Sequence, residues 1–152
     1  MNWEKDEEQE VFSLLHRCKT LVLATTEASG EPAIAPVYYS INSQYKLDFV
    51  SKAATLHIQN IQNSRTVAGA VYEEGESLTD ITGLQMQGVV SQLEGDQENT
   101  ARGEYLLKYP SINQHPTLYK LFEKLPIFRY IPHSIRMTDH TPSGIRRRHW
   151  HS

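Results

Sequence analysis

The residues best suited to chemistry in this chain are concentrated in one stretch, Phe49-Val50-Ser51-Lys52-Ala53-Ala54-Thr55-Leu56-His57-Ile58-Gln59-Asn60-Ile61. A run of strand-forming residues ends in Ser51-Lys52, and a helix is expected to begin near Thr55. The first N–H groups of a helix lack intrahelical partners, and the aligned peptide dipoles make that end attractive to anions. Two hydroxyls and one ammonium at such a junction are the parts of a phosphate site. The same residues also suit plain capping, with Thr55 or Ser51 satisfying the helix end and Lys52 solvated. His57 reads either as a partly buried surface histidine or as a ligand contact.

Other chemistries find little support. There is no Gly-x-Gly-x-x-Gly after a strand, no Walker-type phosphate loop and no Gly-x-Ser-x-Gly elbow. The seven histidines show no spaced metal motif, and His149-x-His151 has no evident third ligand, so no metal is expected. Cys18 is the single cysteine, which excludes an internal disulfide and a multi-thiolate zinc site. Its neighbours Arg17 and Lys19 could lower its pKa; a packed or exposed inert thiol is the alternative.

The length of 152 residues suits a single domain over 1–152. A net charge of −3 gives no bulk attraction to nucleic acid or an anionic membrane. No apolar run approaches a membrane span, and the acidic, polar start is unlike a signal peptide. The expectation is a soluble cytoplasmic protein. The charge is uneven: residues 1–10 carry five acids and one base, whereas 129–152 carry five arginines and one acid. A solvated helix and a basic tail account for this, as does a basic strip serving a phosphate-bearing ligand or a partner chain.

These residues need elements to position them. Val11, Leu14, Leu15 and Cys18 share one face of a helix over 1–18, acidic at its start and basic at its end. Strands are expected at 20–28 and 32–41 around a Ser29-Gly30-Glu31 turn, then at Tyr45 to Ser51. In that third strand Lys46 and Asp48 alternate with Tyr45, Leu47 and Phe49. A short helix at 53–63 leads to strands at 66–72 and 81–93. In the latter, Leu84 and Met86 alternate with Gln85 and Gln87, so both glutamines point to one face. Asp96 is placed as the cap of a helix running to Tyr109, and a second helix covers 117–125. A strand at 127–138 precedes the basic arm 141–152, read as a last strand or a cleft-closing arm, with a disordered tail as the alternative. Trp3 and Trp150 are expected to pack. The order favours a mainly β, antiparallel barrel or sandwich with peripheral helices.

The hairpin 21–41, the segment 47–61, the passage from Asn63 to Tyr72 and Gly83-Leu84-Gln85-Met86-Gln87-Gly88 recur in a known order. So do Ala101, Arg102, Tyr105, Tyr109-Pro110, Ile135-Arg136-Met137-Thr138-Asp139-His140 and Trp150. In this series the chain resembles the flavin-binding split-barrel superfamily typified by pyridoxamine 5′-phosphate oxidase, and in detail its YhbP-type branch. The resemblance implies a six-stranded antiparallel Greek-key split barrel that forms a homodimer, with FMN in each cleft between subunits. It implies phosphate contacts from Ser51, Lys52, Thr55 and His57. Backbone of Pro36, Val37 and Tyr38 would lie along the flavin ring, and Gln85 and Gln87 near the ring or ribityl chain.

The sequence departs from the oxidase in three respects, one being that the helix after Ser51 has Leu56-His57 where an adjacent Arg-Lys pair is common. It has no base between Glu31 and Tyr45, where the oxidase holds phosphate from its second strand, leaving Lys52 and the tail arginines for that task. The oxidase's C-terminal substrate signature is also absent, so vitamin B6 oxidation is not implied. Two functions follow from the resemblance: an FMN-dependent oxidoreductase of a small molecule, or a non-catalytic module for flavin or another cofactor such as haem or a deazaflavin.

Overall fold

The computed structural model describes residues 4–77, 81–141 and 144–151. Trp3, named above, and residues 142, 143 and 152 of the basic arm lie outside them.

Helix α1 (Lys5–Arg17) buries Val11, Leu14 and Leu15, three of the four positions on the apolar face. Strands β1 (Thr20–Thr26), β2 (Pro32–Ile41) and β3 (Leu47–Val50) follow, then α2 (Leu56–Asn63), β4 (Thr66–Glu73) and β5 (Thr82–Gln92). Helix α3 (Gly95–Lys108), a 3₁₀ turn over Pro110–Gln114 and α4 (Pro116–Lys124) lead to β6 (Ile127–Thr141) and β7 (Gly144–His151). Asp96 sits in the first turn of α3, and Glu94 holds the cap position.

The strands form one antiparallel sheet in the order β3-β2-β1-β4-β5-β6-β7, and β3 also pairs with β6. Strands β1 to β6 therefore close a barrel of the expected six-stranded kind, with β4 returning beside β1 in a Greek-key step. The seventh strand is the described part of the basic arm, Gly144–His151, which pairs along β6.

Strand β6 performs two tasks. Its first residues, Ile127 to Tyr130, pair with β3 and close the barrel. From Ser134 onward it pairs with β7 instead. The change of partner coincides with a bulge opposite Gln87/Gly88. A Cβ on Gly88 would lie 2.3 Å from the Ile131 carbonyl oxygen, so the close approach of β5 to β6 requires glycine there.

The barrel interior is filled by Leu21, Leu23, Tyr39, Leu47, Phe49, Leu84, Tyr130 and Ile135, with Ile58 and Ile61 of α2 added. Asp48 departs from the expected alternation. It is completely buried because both faces of β3 are covered, one by the barrel core and the other by the helical layer. The Arg129 guanidinium, opposite it on β6, donates two 2.7 Å hydrogen bonds to its carboxylate. That pairing lets the charge remain in the interior.

The uneven charge of the sequence resolves within the chain. On β7 successive side chains point to opposite faces. Arg146, Arg148 and Trp150 turn toward α1, where Arg148 meets Glu10 at 2.5 Å and the Trp150 indole N–H donates to Glu7 at 3.0 Å. Arg147, His149 and His151 fall on the opposite face of the sheet.

Candidate functional site

The junction after β3 brings Ser51, Lys52, Thr55 and His57 together. Ser51 Oγ lies 2.8 Å from His57 Nε2 and 3.1 Å from Thr55 Oγ1, which is itself 3.2 Å from His57 Nε2. The Thr55 hydroxyl also donates to the Lys52 carbonyl at 2.9 Å. Burial lowers the His57 pKa, which favours a neutral imidazole held by the two hydroxyls.

Thr55 occupies the N-cap position of α2 with extended backbone, φ −75° and ψ 147°, yet makes no side-chain cap hydrogen bond. Its hydroxyl is turned back to Lys52 and His57 instead. Plain capping is therefore not what these hydroxyls do. The helix start presents backbone amides without a side-chain acceptor, beside the exposed Lys52. Behind it, Asn60 of α2 donates to Thr25 on β1 at 3.0 Å, which fixes the helix against the barrel.

The remaining expected residues lie on the outer face of the sheet. The pairings place Pro36, Val22, Ala70, Gln85, Arg136 and His149 in one transverse row across six strands. The adjacent row runs Ile34, Ala24, Ala68, Gln87 and Ser134. Gln85 and Gln87 do share a face, as their alternation required, and both are exposed. Pro36 and Tyr38 point outward, while the Val37 side chain enters the core and leaves only its backbone to this face.

A shallow concavity holds Gln85 and Gln87 with Val22, Ala24, Ala68 and Ala70, and none of the junction residues lines it. Pro36 and Gln85 stand three strands apart, about 14 Å at ordinary strand spacing. A single chain thus assembles the phosphate set in one place and the ring set as a flat strip in another. The small side chains of β1 and β4 keep the strip flat, and Tyr38, Ile34 and Tyr72 rise from it 62%, 74% and 53% exposed.

Sequence reasoning missed a second concavity. It lies between β2, α3, the 3₁₀ turn and α4, with a volume of about 480 Å³. Tyr38, Tyr105, Tyr109 and Phe122 form its aromatic wall. The spacing of Tyr105 in α3 and Tyr109 at its C-cap, one helical turn apart, was the available signal. Cys18 is not activated by its basic neighbours: burial raises its pKa, and its Sγ lies 3.4 Å from the Tyr72 carbonyl oxygen.

Comparison with known proteins bears on the family and the fold. The sequence model of the family described as pyridoxamine 5′-phosphate oxidase matches residues 7–121. A UPF0306 protein of Photorhabdus laumondii is 28% identical over 136 residues, covering 87% of this chain and 90% of that protein. The UPF0306 protein YhbP of Salmonella schwarzengrund is 29% identical over 122 residues, covering 80% and 78% respectively.

Among solved structures, the conserved hypothetical protein Rv2991 of Mycobacterium tuberculosis superposes with a TM-score of 0.75 at 17% identity, covering 92% of this chain and 91% of that one. HutZ of Vibrio cholerae, described as a heme storage protein, gives 0.67 at 21% identity, with coverage of 82% and 89%. A FAD-binding protein of Mesorhizobium loti gives 0.65 at 19%, with coverage of 85% and 91%. These likenesses establish the split-barrel fold. The chain belongs to the pyridoxamine 5′-phosphate oxidase family, and within it is similar to the YhbP-type UPF0306 proteins.

Proposed function

We propose that the chain is an FMN-binding protein that works as a homodimer, and that it is a flavin-dependent oxidoreductase acting on a small molecule in the cytoplasm. The observation that carries this reading is the uncapped start of α2 beside Lys52, with Ser51, Thr55 and His57 gathered around it. That donor set fits a phosphate monoester: backbone amides, hydroxyls and one ammonium. The flat small-residue strip of β1 and β4, bordered by Pro36 and Gln85, fits a planar ring.

Lys52 and the α2 amides would hold the phosphate, and the β2 backbone at Pro36 to Tyr38 would orient the ring. Gln85 and Gln87 would donate to its polar edge. Bound flavin supplies a centre that accepts and returns a hydride equivalent. Tyr38 and His57 are the candidate proton donors. The exposed Ile34, Tyr38 and Tyr72 support dimerisation through the outer face, since a second copy would cover them.

FMN titration monitored by flavin fluorescence tests the reading, and sedimentation tests the dimer. Micromolar binding is expected, with a loss of tenfold or more in the Lys52→Ala, Thr55→Ala double variant. Unchanged affinity in that variant would remove the phosphate from this junction.

The second reading is a cofactor-binding module without turnover. It draws support from the absence of a base on β2 and from a structural neighbour described as a heme storage protein. A Soret band after adding haemin, with no flavin quenching, would favour it.

A further inference from the structure

The concavity between β2, α3 and α4 adjoins the strip proposed for the flavin, because Tyr38 belongs to both. Its wall is a continuous aromatic chain. The Tyr38 and Tyr109 ring centroids are 5.8 Å apart, Tyr109 and Tyr105 4.7 Å, and Tyr105 and Phe122 5.4 Å.

The polarity of the wall depends on where the phenol hydroxyls go. Tyr109 donates to the Tyr39 carbonyl at 2.7 Å, and Tyr105 points at the Tyr38 carbonyl at 3.4 Å. Both hydroxyls are engaged with β2 backbone. What Tyr105 and Tyr109 leave for the cavity is ring surface. Burial pushes the Tyr109 pKa up to about 12, so its phenol stays neutral at any ordinary pH.

Opposite the rings stand Leu118 and Leu121, 44% and 45% exposed. Among the described lining residues Lys19 alone carries a charge, and Ser111 and Tyr38 add one hydroxyl each. The volume of about 480 Å³ lies in the range of small-molecule sites.

A phosphate ester would need several cationic or amide donors converging on it. Here there is one lysine and no arginine among the described lining residues. The ring faces and leucines suit a flat apolar body, and the solitary Lys19 suits one carbonyl-type oxygen at its edge.

We infer that this cleft is the substrate pocket, and that its substrate is a planar, uncharged aromatic molecule bearing a carbonyl oxygen rather than a phosphorylated one. The inference rests on the flavin reading for the word substrate; the binding itself does not.

The test is equilibrium dialysis of the full chain against menadione, with and without FMN. Saturable binding of one molecule per chain is expected in both conditions. Leu121→Asp, at the half-exposed rim, should weaken it by tenfold or more while FMN affinity is retained. Leu107→Asp, exposed on α3 away from the cleft, should change nothing. Pyridoxine 5′-phosphate should not compete.

Absence of saturable menadione binding would overturn the inference, as would equal losses in the two aspartate variants or competition by the phosphate ester. So would dissociation of a dimer by Leu121→Asp without a menadione site, which would assign the cleft to a second copy. Failure of FMN to bind beside intact menadione binding would sink the flavin reading alone.

Discussion

Trp150 and Glu7, 143 residues apart in sequence, are joined by a 3.0 Å hydrogen bond from the indole N–H to a carboxylate oxygen. Beside it Arg148 reaches Glu10 and stacks over the Trp150 ring at 5.8 Å. The last strand thereby secures the first helix. Trp150→Ala should destabilise the fold by about 3–5 kcal/mol, the usual cost of removing a large buried aromatic. Glu7→Gln should cost far less, because the amide oxygen still accepts. Urea unfolding followed by circular dichroism measures both.

Asp48 and Arg129 form a buried pair, and removing one partner leaves an uncompensated charge. Arg129→Met should cost about 3–5 kcal/mol. The double variant Asp48→Leu, Arg129→Met should recover much of that loss. A double-mutant cycle in urea reads the difference; a double variant no more stable than Arg129→Met would refute the pairing as the source.

Gly88 has no room for a side chain, since its Cβ position falls against β6 backbone. Gly88→Ala should destabilise by about 1–3 kcal/mol through overpacking. Gly103, on α3 with nothing near its Cβ position, is the control. Gly103→Ala should instead stabilise by about 0.5–1 kcal/mol through helix propensity. Thermal unfolding of the two variants should move in opposite directions.

His57 has a depressed pKa because burial penalises its charged form. Folded protein therefore binds fewer protons at this site than unfolded protein does. The associated stability is present above the unfolded value near 6.5 and is lost as pH falls toward the folded value. Wild-type protein should lose more stability than His57→Gln between neutral pH and pH ~5, a window just below the ordinary histidine pKa. Urea midpoints at the two pH values measure this; equal losses would show that His57 is not the group responsible.

Parts of this structure were readable where a period carried the information. The 3.6-residue spacing of Val11, Leu14 and Leu15 marked the buried face of α1, and the alternation of Leu84 and Met86 with the glutamines oriented β5. Asp48 was not readable, because alternation reports one covered face and β3 has two. The basic arm was legible as a last strand, but the direction of its side chains was not: Arg146, Arg147 and Arg148 look alike in sequence, and only pairing with β6 assigns them to opposite faces. For the candidate site, the junction at Ser51 to His57 was legible because strand end, helix start and polar residues are contiguous. The aromatic cleft was not, since Tyr38 and Phe122 meet only through long-range packing.

The mooring of α1 by β7 also orders events in time. Glu7 is synthesised 143 residues before Trp150, so the acidic helix leaves the ribosome well ahead of the strand that holds it. Closing so long a loop costs entropy that is recovered only when the late contacts form. Until synthesis reaches Trp150, Glu7 and Glu10 have to wait in water, and the first helix rests on the barrel without the contacts its acidic side makes to β7.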